Sequence, residues 1–448
     1  MRPTNVKRGL LVISMAGMVA VSMPSHSETL VDAYRAARVN DSAFLSAAQQ
    51  REATAQAVPL AASALMPQIS YSYGQSKITG ERRLPDSRGN TFTDPLDYTS
   101  KSNSLNLRMP LINVDALVRL KQSFNQSDYG DANFSAQEQN LAIRVTQAYL
   151  DVLLARHSRD LAEKQQDAYG ELRKFAANRL RGGEGTRTEE AEAESRFRLA
   201  QAQLIEAENQ LYISEMALNN LTGWSGVRLK TTGKNFRALP LDPPLEAGWV
   251  ERALESSPVI EAARKMLAVA EDEVHRNRAG HLPKLDLVGG ISKTSSETVN
   301  TIGQEYDTRS IGFQLNLPIF SGGYVYAGTN QAIANREKSR NDLEGEIKKT
   351  TLEVRRQFQG TRSGLEKIGA LTKAVESSEI ALQGAQVGLK NGFRTNLDVL
   401  DAQRVLYSAK RDLAQAHFTY LMSLTSLRAA TGVLAPEDME LLDRVLHN

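Results

Sequence analysis

Leu105-Asn106-Leu107-Arg108-Met109-Pro110 alternates apolar with polar residues and stops at a proline, and Gln314-Leu315-Asn316-Leu317-Pro318 does the same 208 residues later (110 against 318). Alternation with period two is the mark of a strand with two unlike faces. Working outward, Leu65-Met66-Pro67-Gln68-Ile69 returns as Leu282-Pro283-Lys284-Leu285 at an offset of 216 (67 against 283). Gly185-Thr186-Arg187-Thr188 returns as Gly392-Phe393-Arg394-Thr395 at 207, and Leu221-Thr222-Gly223 as Ala430-Thr431-Gly432 at 209. The near-constant spacing predicts a duplicated unit of roughly 210 residues, far longer than the ~20–50 of a solenoid repeat. The boundaries expected are 28–238 for the first copy and 239–448 for the second.

Each copy reads as helix, strand, loop, strand, very long helix, turn, helix. In the first, Thr29 to Ala64 is Ala-rich and interrupted at Asn40-Asp41-Ser42, and strands are expected over Gln68–Lys77 and Ser102–Arg108 of a hairpin at about 68–109. Gly80 to Tyr98 carries Pro85, Asp86, Gly89, Asn90 and Pro95, and therefore reads as loop. A long helix is expected over about 112–181: from Val114 to Leu180 there is no proline, and Leu141, Val145, Ala148, Val152 and Ala155 form a heptad-like seam. At 1.5 Å per residue it would run on the order of 100 Å. Gly182-Gly183-Glu184-Gly185 breaks it, and a return helix spans about 188–221. In the second copy, Pro243-Pro244 marks the join and Gly248 to Arg278 is helical with a break at Ser257-Pro258. The hairpin lies at about 285–317, the long helix at about 324–390, the turn at Asn391-Gly392 and the return helix at about 395–430. The first hairpin is eight residues longer (43 from Pro67 to Pro110, 35 from Pro283 to Pro318), which accounts for the change in offset.

Composition narrows the function. Lys+Arg 54 against Asp+Glu 52 gives +2, so nothing biases the chain towards nucleic acid. Residues 1–27 read as a signal peptide: Arg2, Lys7 and Arg8, an apolar run from Gly9 to Met23, and Ser25-His26-Ser27 before Glu28. There is no cysteine, hence no disulfide and no lipidated N-terminal cysteine. His275 and His281 lack a carboxylate pattern for metal, and no phosphate-cradling loop is present, so neither catalysis, cofactor nor metal is expected. Gly289-Gly290 and Gly322-Gly323 lie beside strands and read as bends or barrel-packing sites.

The strands, read at 7–11 residues, have the length to cross a hydrocarbon layer when tilted. Tyr71, Tyr73, Phe92 and Tyr98, then Tyr306, Phe313, Phe320 and Tyr324, lie near their ends, where aromatics form interfacial girdles. Four strands cannot close a cylinder, and an open edge cannot face lipid, so several chains must pool them. Three chains would give twelve strands. A soluble hairpin packed on helices would show the same alternation, and a periplasmic coiled-coil spacer the same helices.

Gly392-Phe393-Arg394-Thr395-Asn396-Leu397-Asp398-Val399-Leu400-Asp401-Ala402, followed by Leu406-Tyr407-Ser408-Ala409-Lys410, resembles the TolC family of outer-membrane efflux and type I secretion channels. The resemblance implies a homotrimer in the outer membrane. A twelve-stranded β-barrel would continue into a twelve-helix α-barrel that crosses the periplasm. It implies swivels at the strand–helix prolines Pro67, Pro110, Pro283 and Pro318. It implies that Asp398 and Asp401 line the periplasmic entrance; converging from three chains, they would raise one another's proton affinity. Arg394 would tie its helix pair to a neighbouring pair through Thr188 and Glu189, where the family carries Asp at the second position. Leu389 stands where the prototype has a tyrosine whose hydroxyl helps to lock the mouth. Gly182, Gly183, Gly185, Asn391 and Gly392 would meet a periplasmic adaptor (membrane fusion protein), and an inner-membrane transporter, ABC type favoured, would supply the energy. Type I protein secretion is the function expected; the outer component of a multidrug pump is the alternative.

Overall fold

The computed structural model describes residues 28–85, 87, 89–226, 229, 239–298 and 301–447. The expected signal segment, 1–27, lies outside the described residues. Helices α1 (Leu30–Asn40), α2 (Ser42–Ala55) and α3 (Ala57–Ser63) lead into strands β1 (Gln68–Pro85) and β2 (Thr91–Ile112), then the long α4 (Val114–Arg181) and α5 (Arg187–Thr222). The second half runs α6 (Glu246–Ser256), α7 (Pro258–Arg278), a 3₁₀ turn (Ala279–His281), β3 (Lys284–Thr298), β4 (Thr301–Asn316), α8 (Tyr324–Lys390), α9 (Asn396–Ala430) and α10 (Pro436–His447).

Side chains set the helix ends. Thr29 and Asp32 close a capping box on α1, Asp41 accepts from Phe44 N at 2.9 Å to start α2, and Asn113 accepts from Ala116 N to start α4. Asp41 also pairs with Arg144 of α4 at 2.6 Å, and that guanidinium holds its carboxyl below the usual range. The main core gathers Leu141, Val145, Tyr149 and Val152 of α4 against Leu30 and Tyr34 of α1, Tyr420, Leu421 and Leu424 of α9, and Met439 and Leu442 of α10. The helix α10 carried no expected element; its Met439, Leu442, Val445 and Leu446 form an apolar stripe too short for the seam search that found the long helices. A smaller cluster sets Trp249 of α6 against Val354 and Phe358 of α8 and Leu427 of α9.

The four strands form one antiparallel sheet in the order β1-β2-β3-β4, leaving β1 and β4 as open edges. Register pairs Leu105 with Tyr71 and with Ile291, so the odd-numbered residues of all four strands share a face. That face carries Ile69, Tyr71, Phe313 and Ile311, with Ile311 80 % and Phe313 72 % exposed, so none of the described residues covers it. The opposite face is polar, with Arg108 Nε donating to Asp286 Oδ2 at 2.9 Å across β2 and β3. All helices attach at one end of the sheet and both hairpin turns lie at the other.

One expectation is corrected. Gly80–Pro85 and Thr91–Tyr98 are not loop but strand, since β1 runs to Pro85 and β2 begins at Thr91 with unbroken pairing from Gln68↔Arg108 to Pro85↔Thr91. Beyond Ser100↔Ser296, β2 has no neighbour on its β3 side, so Pro95 withholds an N–H from no partner strand there. The strands of this sheet, 15 to 22 residues, are therefore longer than the 7–11 read from the alternation.

Candidate functional site: the helical tips and their carboxylates

The ends of α4 and α8 farthest from the sheet close by the same device. At α4, Gly183 takes φ +77, Gly183 N donates to Leu180 O at 3.1 Å and Glu184 N donates to Arg179 O at 3.0 Å. At α8, Gly392 takes φ +75, Gly392 N donates to Leu389 O at 3.2 Å and Phe393 N donates to Gly388 O at 2.8 Å. Both are Schellman ends, and the positive φ is why glycine stands there. The returning helices also begin alike. Thr186 and Glu189 close a capping box on α5, and Thr395 and Asp398 close one on α9. The matching positions are thus Gly183 with Gly392 and Thr186 with Thr395, an offset of 209; the 207 read from the sequence paired Gly185 with Gly392 and is corrected.

Asp398 sits at the centre of the second tip. Its Oδ2 accepts from Thr395 N at 2.8 Å and Thr395 Oγ1 at 2.9 Å, and Arg394 Nη1 lies 3.6 Å from Oδ1. The backbone N–H of Thr395 above all, then its hydroxyl and Arg394, holds the Asp398 carboxyl below the usual carboxylate range. Within one chain this runs opposite to the raised proton affinity expected of converging carboxylates, because donors rather than other anions surround the group. Asp401, one turn on, lies 3.7 Å from Arg196 Nη2 of α5 and 3.7 Å from Arg404 Nε. Between them Val399 and Leu400 are buried, Leu400 against Tyr169 of α4 and Ala200 of α5, so the two carboxylates share the outward side of α9.

The remaining expected residues are placed as follows. Thr188 is exposed, and Glu189 Oε2 accepts from Thr186 N at 3.0 Å; within one chain neither meets Arg394, whose partner is Asp398. Leu389 is half-buried in the last turn of α8, and Gly182, Gly183 and Gly392 are exposed with Gly185 half-buried and Asn391 exposed. Pro67 and Pro283 are exposed just before β1 and β3, Pro318 follows β4, and Pro110 lies at a register shift in β2. Sequence reasoning missed the capping role of Glu189 and Asp398, although Thr-x-x-Glu and Thr-x-x-Asp before a helix spell it. It also missed Asn396 and Gln403. Both are buried on the inner side of α9, and Asn396 Oδ1 and Nδ2 and Gln403 Oε1 have no hydrogen-bond partner among the described residues.

Residues 33–224 and 249–433 match the model of the outer membrane efflux protein family. The chain belongs to that family. Over 418 residues it is 35 % identical to the alkaline protease secretion protein AprF of Pseudomonas aeruginosa, covering 92 % of this chain and 86 % of that protein. It is 30 % identical over 438 residues to the outer membrane protein TolC of Vibrio cholerae, covering 97 % of each. Among solved structures it superposes on the CmeC outer membrane channel of Campylobacter jejuni with a TM-score of 0.78 at 17 % identity, over 99 % of this chain and 98 % of that one. The outer membrane efflux chain is accordingly a TolC-type channel subunit, its sheet in the outer membrane and its helices in the periplasm. Channels of this kind are homotrimeric exit ducts that work with adaptors and inner-membrane transporters, and the family is one of transport proteins rather than enzymes.

Proposed function

We propose that this chain is the outer-membrane duct of a type I secretion system exporting a protein substrate, supplied by an ABC transporter through a periplasmic adaptor. The observation that carries the reading is its relatives' names. Two that are named for protease secretion, AprF and PrtF of Dickeya chrysanthemi, are 35 % and 32 % identical over 92 % and 96 % of the chain, whereas OpmQ of Pseudomonas aeruginosa, named for pyoverdine export, is 26 % identical. Residues 1–27 direct export and are removed, and the mature chain is two copies of one unit, 28–238 and 239–448.

In the assembled duct, Asp398 and Asp401 of three subunits ring the periplasmic entrance and select against anions. Arg394 holds that entrance shut against Thr188 and Glu189 of a neighbouring subunit. The exposed Schellman turns, 182–185 and 391–392, seat the adaptor, and Pro67, Pro110, Pro283 and Pro318 turn the strands into the helices. Leu389 lacks a hydroxyl, so the latch depends on Arg394 and on the capping box beneath it. Deleting the chain from its own cell is expected to abolish appearance of a secreted protein in the medium while leaving drug susceptibility near wild type. Raised drug susceptibility with secretion intact would instead assign the chain to multidrug efflux. Arg394→Ser is expected to raise single-channel conductance; an unchanged conductance removes Arg394 from the latch.

A further inference from the structure

The alternation of the first hairpin changes phase partway along its length. From Gln68 to Tyr73 the apolar residues are odd-numbered (Ile69, Tyr71, Tyr73) and the even ones are Gln68, Ser70 and Ser72. Past the pair Ser76↔Ser100 this inverts: Lys77, Glu81, Arg83 and Asp97 are odd, whereas Ile78, Leu84, Phe92, Leu96 and Tyr98 are even. Pairing runs without a bulge from Gln68↔Arg108 to Pro85↔Thr91, so no irregularity re-aims the side chains. The apolar face of the outer stretch therefore continues the polar, lumen-facing side of the membrane stretch. Along it Ile78, Leu84, Leu96 and Tyr98 are half-buried, while Lys77, Thr79, Glu81 and Arg83 on the other face are exposed. The charges on the apolar face, Arg82 and Asp94, pair with each other at 3.4 Å, so the face carries no net charge from them.

This outer stretch is a free finger. The β2–β3 pairing ends at Ser100↔Ser296 and the second hairpin turns back at Thr298↔Thr301, so β1 and β2 alone continue away from the helices. At ~3.3 Å per residue the stretch from Ser76 to Pro85 reaches about 30 Å. Twelve strands ~4.8 Å apart and tilted by ~40° close into a cylinder of radius on the order of 12 Å. A finger rooted on the rim can therefore reach the axis.

We propose that the three fingers of a trimer lean over the outer mouth and pack their Ile78, Leu84, Phe92, Leu96 and Tyr98 faces against one another, making a second constriction on the extracellular side. The occupant of each apolar face is the same face of its two siblings. A face that lines water throughout would carry polar residues, as the same face does between Gln68 and Ser76; apolar residues on the axis side require a dry partner there. The inference rests on the trimeric duct reading.

The absence of cysteine makes the test direct. Leu96→Cys and, on the opposite face, Thr79→Cys are placed singly in the full-length protein in outer membranes and treated with a short bismaleimide. Leu96→Cys is expected to yield covalent dimers, one per trimer because a third thiol at a three-fold axis lacks a partner, and Thr79→Cys none. Replacing residues 78–98 by a short turn is expected to leave the trimer intact and raise single-channel conductance at least twofold. Heat-resistant trimers of Leu96→Cys without dimer, or an unchanged conductance after finger removal, overturn the proposal. If the unaltered protein neither forms trimers nor conducts, the duct reading itself fails.

Discussion

Arg196 of α5 stands 3.7 Å from Asp401 of α9, so a carboxylate proposed for the entrance is matched by a cation from the other return helix of its own subunit. The side chains are 35 % and 48 % exposed, which places the pair in the weak class of roughly 0.2–1 kcal/mol. In the proposed duct its effect is on the field at the mouth more than on stability. Arg196→Gln is expected to raise the cation-over-anion permeability ratio by less than tenfold, read from reversal potentials in a salt gradient. A lowered ratio would show that Arg196 does not offset Asp401.

Thr395 supplies the cap that holds Asp398, accepting from Asp398 N at 3.2 Å. Thr395→Ala is expected to cost about 1 kcal/mol at the start of α9 and to strip Asp398 of its hydroxyl donor, while the backbone N–H of residue 395 still holds the carboxylate. Faster amide exchange confined to residues 396–399 would report it, and Thr395→Ser is expected to restore protection.

With Asp398 at the entrance as proposed, the pH dependence of that entrance follows from the sign of the Asp398 shift. Its folded value lies below the unfolded value of about 3.9. The contribution of this carboxylate to the cap is therefore present above that unfolded value and is lost as pH falls through the folded one. Cation selectivity should accordingly stay flat from pH 7 to 5 as far as Asp398 sets it. A fall near pH 6 would mean that neighbouring subunits' carboxylates outweigh the Thr395 donors.

Asn396 is 3 % exposed with both amide atoms unpartnered among the described residues. An orphaned buried amide costs about 1–3 kcal/mol, and an apolar replacement of similar shape removes that cost. Asn396→Leu is expected to raise the melting temperature of the purified protein and to lower the fraction of time the channel conducts. Destabilisation would mean that a sibling subunit satisfies the amide.

Tyr420 is fully buried; its hydroxyl donates to Leu239 O at 3.0 Å and accepts from Leu239 N at 3.1 Å. Tyr420→Phe leaves both backbone groups without that partner, at about 1–3 kcal/mol. A lowered melting temperature with conductance unchanged is the expected result.

What was legible in the sequence is where one physical signal ran long. The stretches that became α4 and α8 lack proline and repeat their apolar seam for many turns, so period and length agreed. The finger was hidden because its alternation reverses phase near Ser76 and because Pro85, Gly89 and Pro95 mimic a loop; only pairing reveals that Pro95 sits on an unpartnered side. At the tips, the motif around Asp398 drew attention to charge, while Thr186-x-x-Glu189 and Thr395-x-x-Asp398 were equally readable as caps. Asn396 and Gln403 carried no signal at all, since burial of an amide depends on helices distant in the chain.

The two bare edges of the sheet have a cost before assembly. A freshly translocated monomer carries an adhesive ribbon, greasy on one side and ready to zip onto any extended peptide it meets. Its lifetime in that form must be brief or chaperoned, and crowding of unassembled copies should end in aggregates rather than in a reservoir of spare parts.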